Sequence, residues 1–336
     1  MARRVLLVED DDDPVETRQR AGLVLAVLAL LPVVMPAQIT DRMIELHAPV
    51  LERRANAVGT ESDVPLLMYA ERIKDEAGPY VQYSVIFSNE DGGTSTRALM
   101  ARWGRTTDIE HVYRVWFDEK GRRLKATIQT KDHKDVEFKG PFEEDRPLLR
   151  VITDNNMVGP GGSGTPRVRL RPVIVDLSGC SREKMMDDNA QFYRIAAEEL
   201  KREGKLPLLG DMRQYLYLEA EVGNLGTRLA ARVRLRGGDR WYSSHAGRFD
   251  WAIERSGFIR TTIQLPAHTK PDQLAEIGIE CLAEKDVKAE GGCRVVQVTK
   301  AFFLDESYRP GRSLWKKTMN LTIRPGEMAT WTLTSR

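Results

Sequence analysis

At 336 residues the chain is long enough for two ordinary domains with full cores, and 41% apolar against 30% charged residues is a globular balance that argues against disorder. Its 51 basic and 49 acidic residues leave a formal charge of +2 spread along the whole sequence. No basic stripe offers nucleic acid an electrostatic footprint, so nucleic acid is not an expected partner.

Near the N-terminus, Arg18-Gln19-Arg20 precedes an apolar run from Ala21 to Ala37 that contains Pro32 and closes with Met35-Pro36-Ala37. Basic flank, short apolar core and small terminal residue are the order of a secretory signal peptide. A spanning helix needs about 20 apolar residues, and this run is shorter and broken by proline. Residues 1–37 therefore read as a cleaved signal peptide or an N-terminal anchor, with a mature start near Gln38 and a periplasmic, cell-surface or extracellular destination. The acidic Glu9-Asp10-Asp11-Asp12-Asp13 is atypical for such a leader. No later segment has the length and apolarity of a membrane span.

Strand-like runs follow at Val64–Ala70, Tyr80–Ser88, Glu110–Phe117, Leu124–Thr130, Leu148–Thr153 and Val168–Val175, separated by turn signals such as Asp91-Gly92-Gly93. Gly159-Pro160-Gly161-Gly162-Ser163-Gly164-Thr165-Pro166 reads as an exposed loop, since no Lys-Ser or Lys-Thr and no helix follow it as a phosphate-cradling loop requires. One helix is expected over Arg182–Arg202, with Met185, Phe192, Ala196 and Leu200 at helical spacing and Gly204 as its stop. That apolar stripe should dock on a sheet. The pattern then returns to β at Tyr215–Val222, Leu229–Leu235, Phe258–Leu265, Ile277–Leu282, Arg294–Phe303, Met319–Ile323 and Ala329–Thr334. The expected fold is mainly β: two sandwiches of jelly-roll or immunoglobulin-like type, over 38–205 and 206–336, with one amphipathic helix between or beside them.

Cys281 and Cys293 bracket a charged loop between two β runs and are candidates for a disulfide across a long hairpin in an oxidising compartment. Cys180 reads as an ordinary buried or half-buried thiol. Trp241, Trp251 and Trp315 fall near run ends, where they serve as packing residues or as a sugar-binding platform.

Chemistry concentrates in Trp103-Gly104-Arg105-Thr106-Thr107-Asp108-Ile109-Glu110-His111, which drives an acidic pair and a histidine into an apolar β run. Along a strand, Asp108 and Glu110 share a face while His111 points to the other. A carboxylate pair can hold a hard cation such as calcium or magnesium, or divide acid and base roles where surroundings separate the two pKa values. Glu90 or Asp91, from the loop after an earlier strand, would complete a set of three oxygen donors with Asp108 and Glu110. No Gly-x-Ser-x-Gly elbow or His-Glu-x-x-His spacing accompanies these residues.

Tyr83-Ser84-Val85-Ile86-Phe87-Ser88-Asn89-Glu90 and Gly104-Arg105-Thr106-Thr107-Asp108-Ile109-Glu110-His111-Val112 resemble the Tyr-Ser-x-x-Phe strand and the Gly-His-Arg-His-Asp-Trp-Glu heptapeptide of the necrosis-inducing proteins. They also resemble the Gly-Asp-Trp-Glu pattern of the vacuolar protein sorting-associated family. His47-Ala48-Pro49-Val50 and Arg146-Pro147-Leu148-Leu149-Arg150-Val151 extend that second resemblance, which covers about Leu46 to Thr153. It implies a β-sandwich for the first domain, with Asp108 and Glu110 at acidic metal-site positions and Glu90 near a third. Arg105 and Thr107 stand where the heptapeptide has histidines, and Ile109 replaces its tryptophan. A guanidinium there implies an ion pair between Arg105 and Asp108 or Glu110 in place of an open metal site.

The expected function is that of an exported envelope or surface binding protein whose ligand is a carbohydrate or a lipid headgroup. The alternative is a secreted hydrolase acting on glycans through Asp108 and Glu110, with His111 as accessory.

Overall fold

The computed structural model describes residues 38–54, 57, 62–90, 94–162, 164, 166–224, 226–283 and 291–333. The expected leader and Asp91 lie outside them. The described chain is mainly β, built on four sheets with few helices.

Helix α1 (Asp41–Leu46) opens at Thr40, whose hydroxyl accepts from the Met43 N–H, and leads into the short strand β1 (Val50–Glu52). Strands β2 (Pro65–Asp75) and β3 (Gly78–Phe87) form a hairpin. Helix α2 (Thr96–Trp103), absent from the sequence expectation, follows; Ser95 Oγ caps it by accepting from the Ala98 N–H at 3.2 Å. Then come β4 (Asp108–Phe117), β5 (Arg123–Gln129), β6 (Asp135–Glu137), β7 (Phe142–Glu143), β8 (Arg146–Val151), β9 (Val158–Pro160), β10 (Arg167–Arg169) and β11 (Val173–Val175). One sheet runs β11-β2-β3-β4-β5-β6 and a second runs β10-β1-β8-β7 with β9 on β8. Their facing side chains, among them Val85, Phe87, Val115, Leu51 and Leu149, make the first core.

The run expected at Val168–Val175 is thus two strands in two sheets: β10 pairs with β1, and β11 pairs with β2. The Gly-rich segment is likewise not a free loop. It begins as β9, and the Gly162 N–H donates to the fully buried Glu52 carboxylate at 2.8 Å. A Cβ on Gly164 would stand 2.6 Å from that carboxylate, so only glycine lets the backbone wrap it. Burial raises the Glu52 pKa, but the Gly162 N–H and Arg150 outweigh it and hold the carboxyl below its ordinary value.

The expected single helix is broken into α3 (Lys184–Asp188) and α4 (Gln191–Arg202). Asn189 ends the first piece by turning its side chain back to donate to the Met185 carbonyl at 2.9 Å, which competes with helix continuation. The apolar stripe survives the break: Met185, Phe192, Ala196 and Leu200 are all buried. After the single turn α5 (Leu206–Leu209), the second sandwich is formed by β12 (Tyr215–Asn224), β13 (Arg228–Leu235), β14 (Trp241–Ser243), β15 (Gly257–Gln264), β16 (Leu274–Leu282), β17 (Cys293–Phe302), β18 (Trp315–Ile323) and β19 (Met328–Thr332). Its sheets run β15-β12-β17-β18 and β14-β13-β16-β19 around a core that includes Leu218, Ile259 and Ile279.

Cys281 and Cys293 are joined in a disulfide, their Cα atoms 5.5 Å apart. The geometry differs from a hairpin staple. Cys281 lies on β16 and Cys293 on β17, which belong to different sheets, so the bond ties one layer of the sandwich to the other through the core. Cys180 is free and half-buried.

A third core fills the seam between the sandwiches. Tyr69, Ile86 and Ile109 from the six-stranded sheet meet Phe192, Tyr193 and Leu200 of α4, and Tyr215, Tyr217 and Phe302 of the second sandwich. The outer face of the first sheet is therefore apolar at one end, and polar where the seam opens.

Candidate functional site

The end of α2 positions the seam. Gly104 adopts φ +64, and a Cβ there would lie 2.7 Å from Arg260 Cγ, so glycine is required both for the turn and for the contact. The Met100 carbonyl, which also accepts from the Gly104 N–H, and the Ala101 carbonyl accept from the hydroxyls of Thr262 (2.7 Å) and Thr261 (2.5 Å) on β15. This explains the polar Arg260-Thr261-Thr262 in an otherwise apolar strand: it is the socket for a helix end.

Arg105, Thr106, Thr107 and Asp108 follow, all buried. Arg105 donates through Nε to Glu183 Oε1 at 3.2 Å and through Nη1 to the Thr107 carbonyl. Its ion pair is thus with Glu183, and among the described residues none joins it to Asp108 or Glu110. Burial raises the Glu183 pKa, but Arg105, Arg182, Arg255 and Arg260 outweigh that and hold the carboxyl below its ordinary value.

Asp108, 2% exposed, opens β4 and accepts from Asn156 Nδ2 at 3.0 Å; the same Nδ2 also donates to the Asn89 carbonyl at 3.1 Å. Asn156 holds φ +57, a left-handed conformation that asparagine tolerates better than most side chains. Asp108 and Glu110 lie close enough on the strand for each to act on the other's titration. Burial raises both, and the Asp108 charge drives Glu110 well above the ordinary range. Glu90 is near enough for burial and the Asp108 charge to push it up to about 7. Three of the expected site residues are therefore brought together as a proton-holding cluster. Among the described residues no three His, Cys, Asp or Glu side chains are arranged to hold a metal ion.

Strand register separates His111 from this pair. Asp108 and Glu110 stand opposite Phe87 and Val85, residues of the first core, while His111 stands opposite Ser84 on the outer face. His111 Nε2 lies 2.9 Å from Asp135 Oδ1, and Asp135 also pairs with Arg114. Burial lowers the His111 pKa despite that carboxylate, which favours the neutral ring at pH 7. Gln129, oriented with its amide nitrogen toward them, donates to Glu110 Oε2 at 3.0 Å and to His111 Nδ1 at 3.1 Å.

On the outer face, the seam opens as a pocket of about 390 Å³. Tyr69, Glu71, Gln82, Ser84 and His111 form the sheet side, Leu177, Cys180, Arg182 and Glu183 the side before α3, and Trp103, Arg255 and Phe258 the remainder. The Trp103 ring is surrounded by guanidinium groups: Arg255 at 3.8 Å, Arg182 at 5.0 Å and Arg105 at 5.6 Å from its centroid. Arg255 donates to the carbonyls of Arg102 (2.7 Å) and Arg260 (3.4 Å). Arg182 approaches Glu183 only to 3.9 Å, and among the described residues no side-chain hydrogen bond holds its guanidinium. Burial, reinforced by Arg182, Arg105 and Arg102, lowers the Arg255 pKa to about 9 against the opposing pull of Glu183. It stays charged at neutral pH and carries positive charge that its neighbours do not neutralise.

Behind the pocket, Arg260 is fully buried and fully engaged. It donates to Glu219 Oε1 through Nε at 2.8 Å, to Tyr193 Oη at 2.8 Å and to Asp187 Oδ2 at 2.7 Å, and Lys300 reaches the same Asp187 oxygen at 3.0 Å. Sequence reasoning assigned no role to Trp103, Arg182, Glu183, Arg255 or Asn156. The one signal for this region was the polar triplet at 260–262. The tryptophans that were singled out have separate partners: Trp315 packs on Trp331 at 5.5 Å, Trp251 lies between Arg97 and Arg248, and Trp241 lies against Arg234.

No family model matches the chain, and no curated protein matches it. Among solved structures, the alpha toxin from Clostridium absonum aligns with 44% of this chain and 38% of its own length, at 15% identity and a TM-score of 0.24. The chain thus spans well under half of that protein, and a likeness of this size carries no argument about fold or activity.

Proposed function

We propose that the protein is an exported binding protein that captures a small anionic, hydroxyl-bearing ligand, a carbohydrate acid or a lipid headgroup, in the seam pocket. One observation carries this reading: Arg182 and Arg255 line the pocket, and among the described residues no carboxylate stands at hydrogen-bond distance from either guanidinium, the charges of Glu110 and Glu183 acting on Arg182 from further away. A planar guanidinium with free N–H groups is matched to a carboxylate or phosphate. Ser84, Gln82 and Tyr69 supply polar groups suited to hydroxyls on the same ligand, and the volume falls within the roughly 300–1,000 Å³ of small-molecule sites. Export is supported by the leader-like residues 1–37 and by the disulfide.

Calorimetric titration of the full chain with D-glucuronate, glycerol 3-phosphate and neutral D-glucose tests the reading. The two anions should bind and glucose should not, with Arg182→Met and Arg255→Met each weakening binding about tenfold. Equal affinity for glucose, or binding untouched in both variants, would overturn it. The hydrolase alternative is less well supported, because Asp108 is buried against Asn156 and His111 stands on the opposite face of the strand.

A further inference from the structure

We propose a second anion site, for a sulfated or phosphorylated saccharide, in the pocket of about 590 Å³ where α2 meets the β14 edge of the second sandwich. Three guanidinium groups line it from three separate segments: Arg97 from α2, Arg232 from β13 and Arg240 from the turn before β14. No carboxylate is among the lining residues. Arg232 is the only one of the three with an ion pair among the described residues, to Glu280 at 2.6 Å. Arg97 lies over Trp251 at 5.7 Å and Arg240 over Tyr242 at 4.9 Å, so aromatic faces place both groups without neutralising them.

Cations from separate segments, two of them without an ion pair among the described residues, suit a tetrahedral oxyanion, which accepts hydrogen bonds on several oxygens, better than the single plane of a carboxylate. The remaining wall is polar in the way a sugar ring requires. Ser243, Gln264 and His245 line it, and Ser243 Oγ is hydrogen-bonded to His245 Nδ1. Burial lowers the His245 pKa and so favours the neutral imidazole, which carries one N–H donor and one acceptor nitrogen. Register places Arg232 between Ser243 and Gly278 on neighbouring strands, and the space a side chain at Gly278 would take is filled by Met328 and Trp241.

Titration of the full chain with glucose 6-sulfate, glucose 6-phosphate, neutral glucose and inorganic sulfate, followed by calorimetry, tests the site. In the Arg255→Met background, where the seam pocket is weakened, sulfated or phosphorylated glucose should still bind, with Arg97→Gln and Arg240→Gln each weakening that binding about tenfold. The relative affinities of the two esters tell which source the site prefers. Neutral glucose or inorganic sulfate binding as tightly as the esters would overturn the proposal. So would affinity unchanged in both arginine variants, or loss in Arg255→Met alone, which would move the ligand to the seam pocket. Because Arg97 and Arg240 lie outside the seam pocket, failure here leaves the seam reading standing, and failure there leaves this one standing.

Discussion

The buried Arg260 and the half-buried Arg182 and Arg255 meet near the seam, and they differ in how fully they are answered. Arg260 spends its guanidinium on Glu219, Asp187 and the Tyr193 hydroxyl, joining β15 to β12 and to the two helices α3 and α4. Arg255, five residues earlier in sequence, has two backbone carbonyls and an indole face, and Arg182 has a glutamate at the limit of ion-pair distance. A charge with a full set of partners belongs to the fold. One that lines a pocket with donors to spare is held for something that arrives.

The largest effect should come from the answered group. Arg260→Met leaves Glu219 and Asp187 with one cation fewer in the seam, and removing one partner of such a buried network costs about 3–5 kcal/mol. Chemical denaturation should show that loss; a change under 1 kcal/mol would erase the distinction between the two arginine groups.

Next comes the covalent tie within the same sandwich. Replacing Cys281 and Cys293 together by serine should cost about 3 kcal/mol, the loop-closure value for a short loop, and reduction of the wild type should reproduce it. If reduction costs nothing, the sandwich does not depend on its inter-sheet tie and Arg260 carries more of the seam than argued above.

The carboxyl cluster gives a pH signature on the other face of β4. Burial and the Asp108 charge raise Glu90 from 4.5 to about 7, so folding favours its protonated form. Stability from this group is fully present below pH 4.5 and is lost as pH rises through 7, about 3 kcal/mol in all. Glu90→Gln should flatten the stability profile between those values. A wild-type profile already flat there would show that Glu90 keeps its ordinary pKa.

Smallest of all should be the stability effect of Arg255→Met. Its aliphatic stem can still cover Trp103, and no carboxylate loses its closest partner, so denaturation should shift by less than about 1 kcal/mol. A loss comparable to Arg260→Met would make Arg255 a structural residue.

The strands were legible because alternation and turn residues mark them: β3 and β15 fall within two residues of their expected bounds. The helix stripe and the cysteine pair were legible for the same local reason. What the sequence hid depends on contacts distant along the chain. Asp108 meets Asn156 across 48 residues, and Arg105 meets Glu183 across 78, so spacing around Asp108 suggested a neighbour for the arginine that the fold does not use. The Gly-rich segment looked solvent-facing because the carboxylate it wraps, Glu52, lies 110 residues before Gly162. No role was legible for Arg182 and Arg255 because nothing local distinguishes a paired arginine from an expectant one.

The most direct test of that last distinction is the Trp103 indole N–H in a heteronuclear NMR titration with D-glucuronate. The account predicts that this resonance shifts saturably in the wild type and needs about tenfold more ligand to shift in Arg255→Met, whose other signals remain those of a folded chain. Saturable binding that moves resonances elsewhere while Trp103 stays fixed, or a Trp103 titration unchanged in the variant, would contradict it.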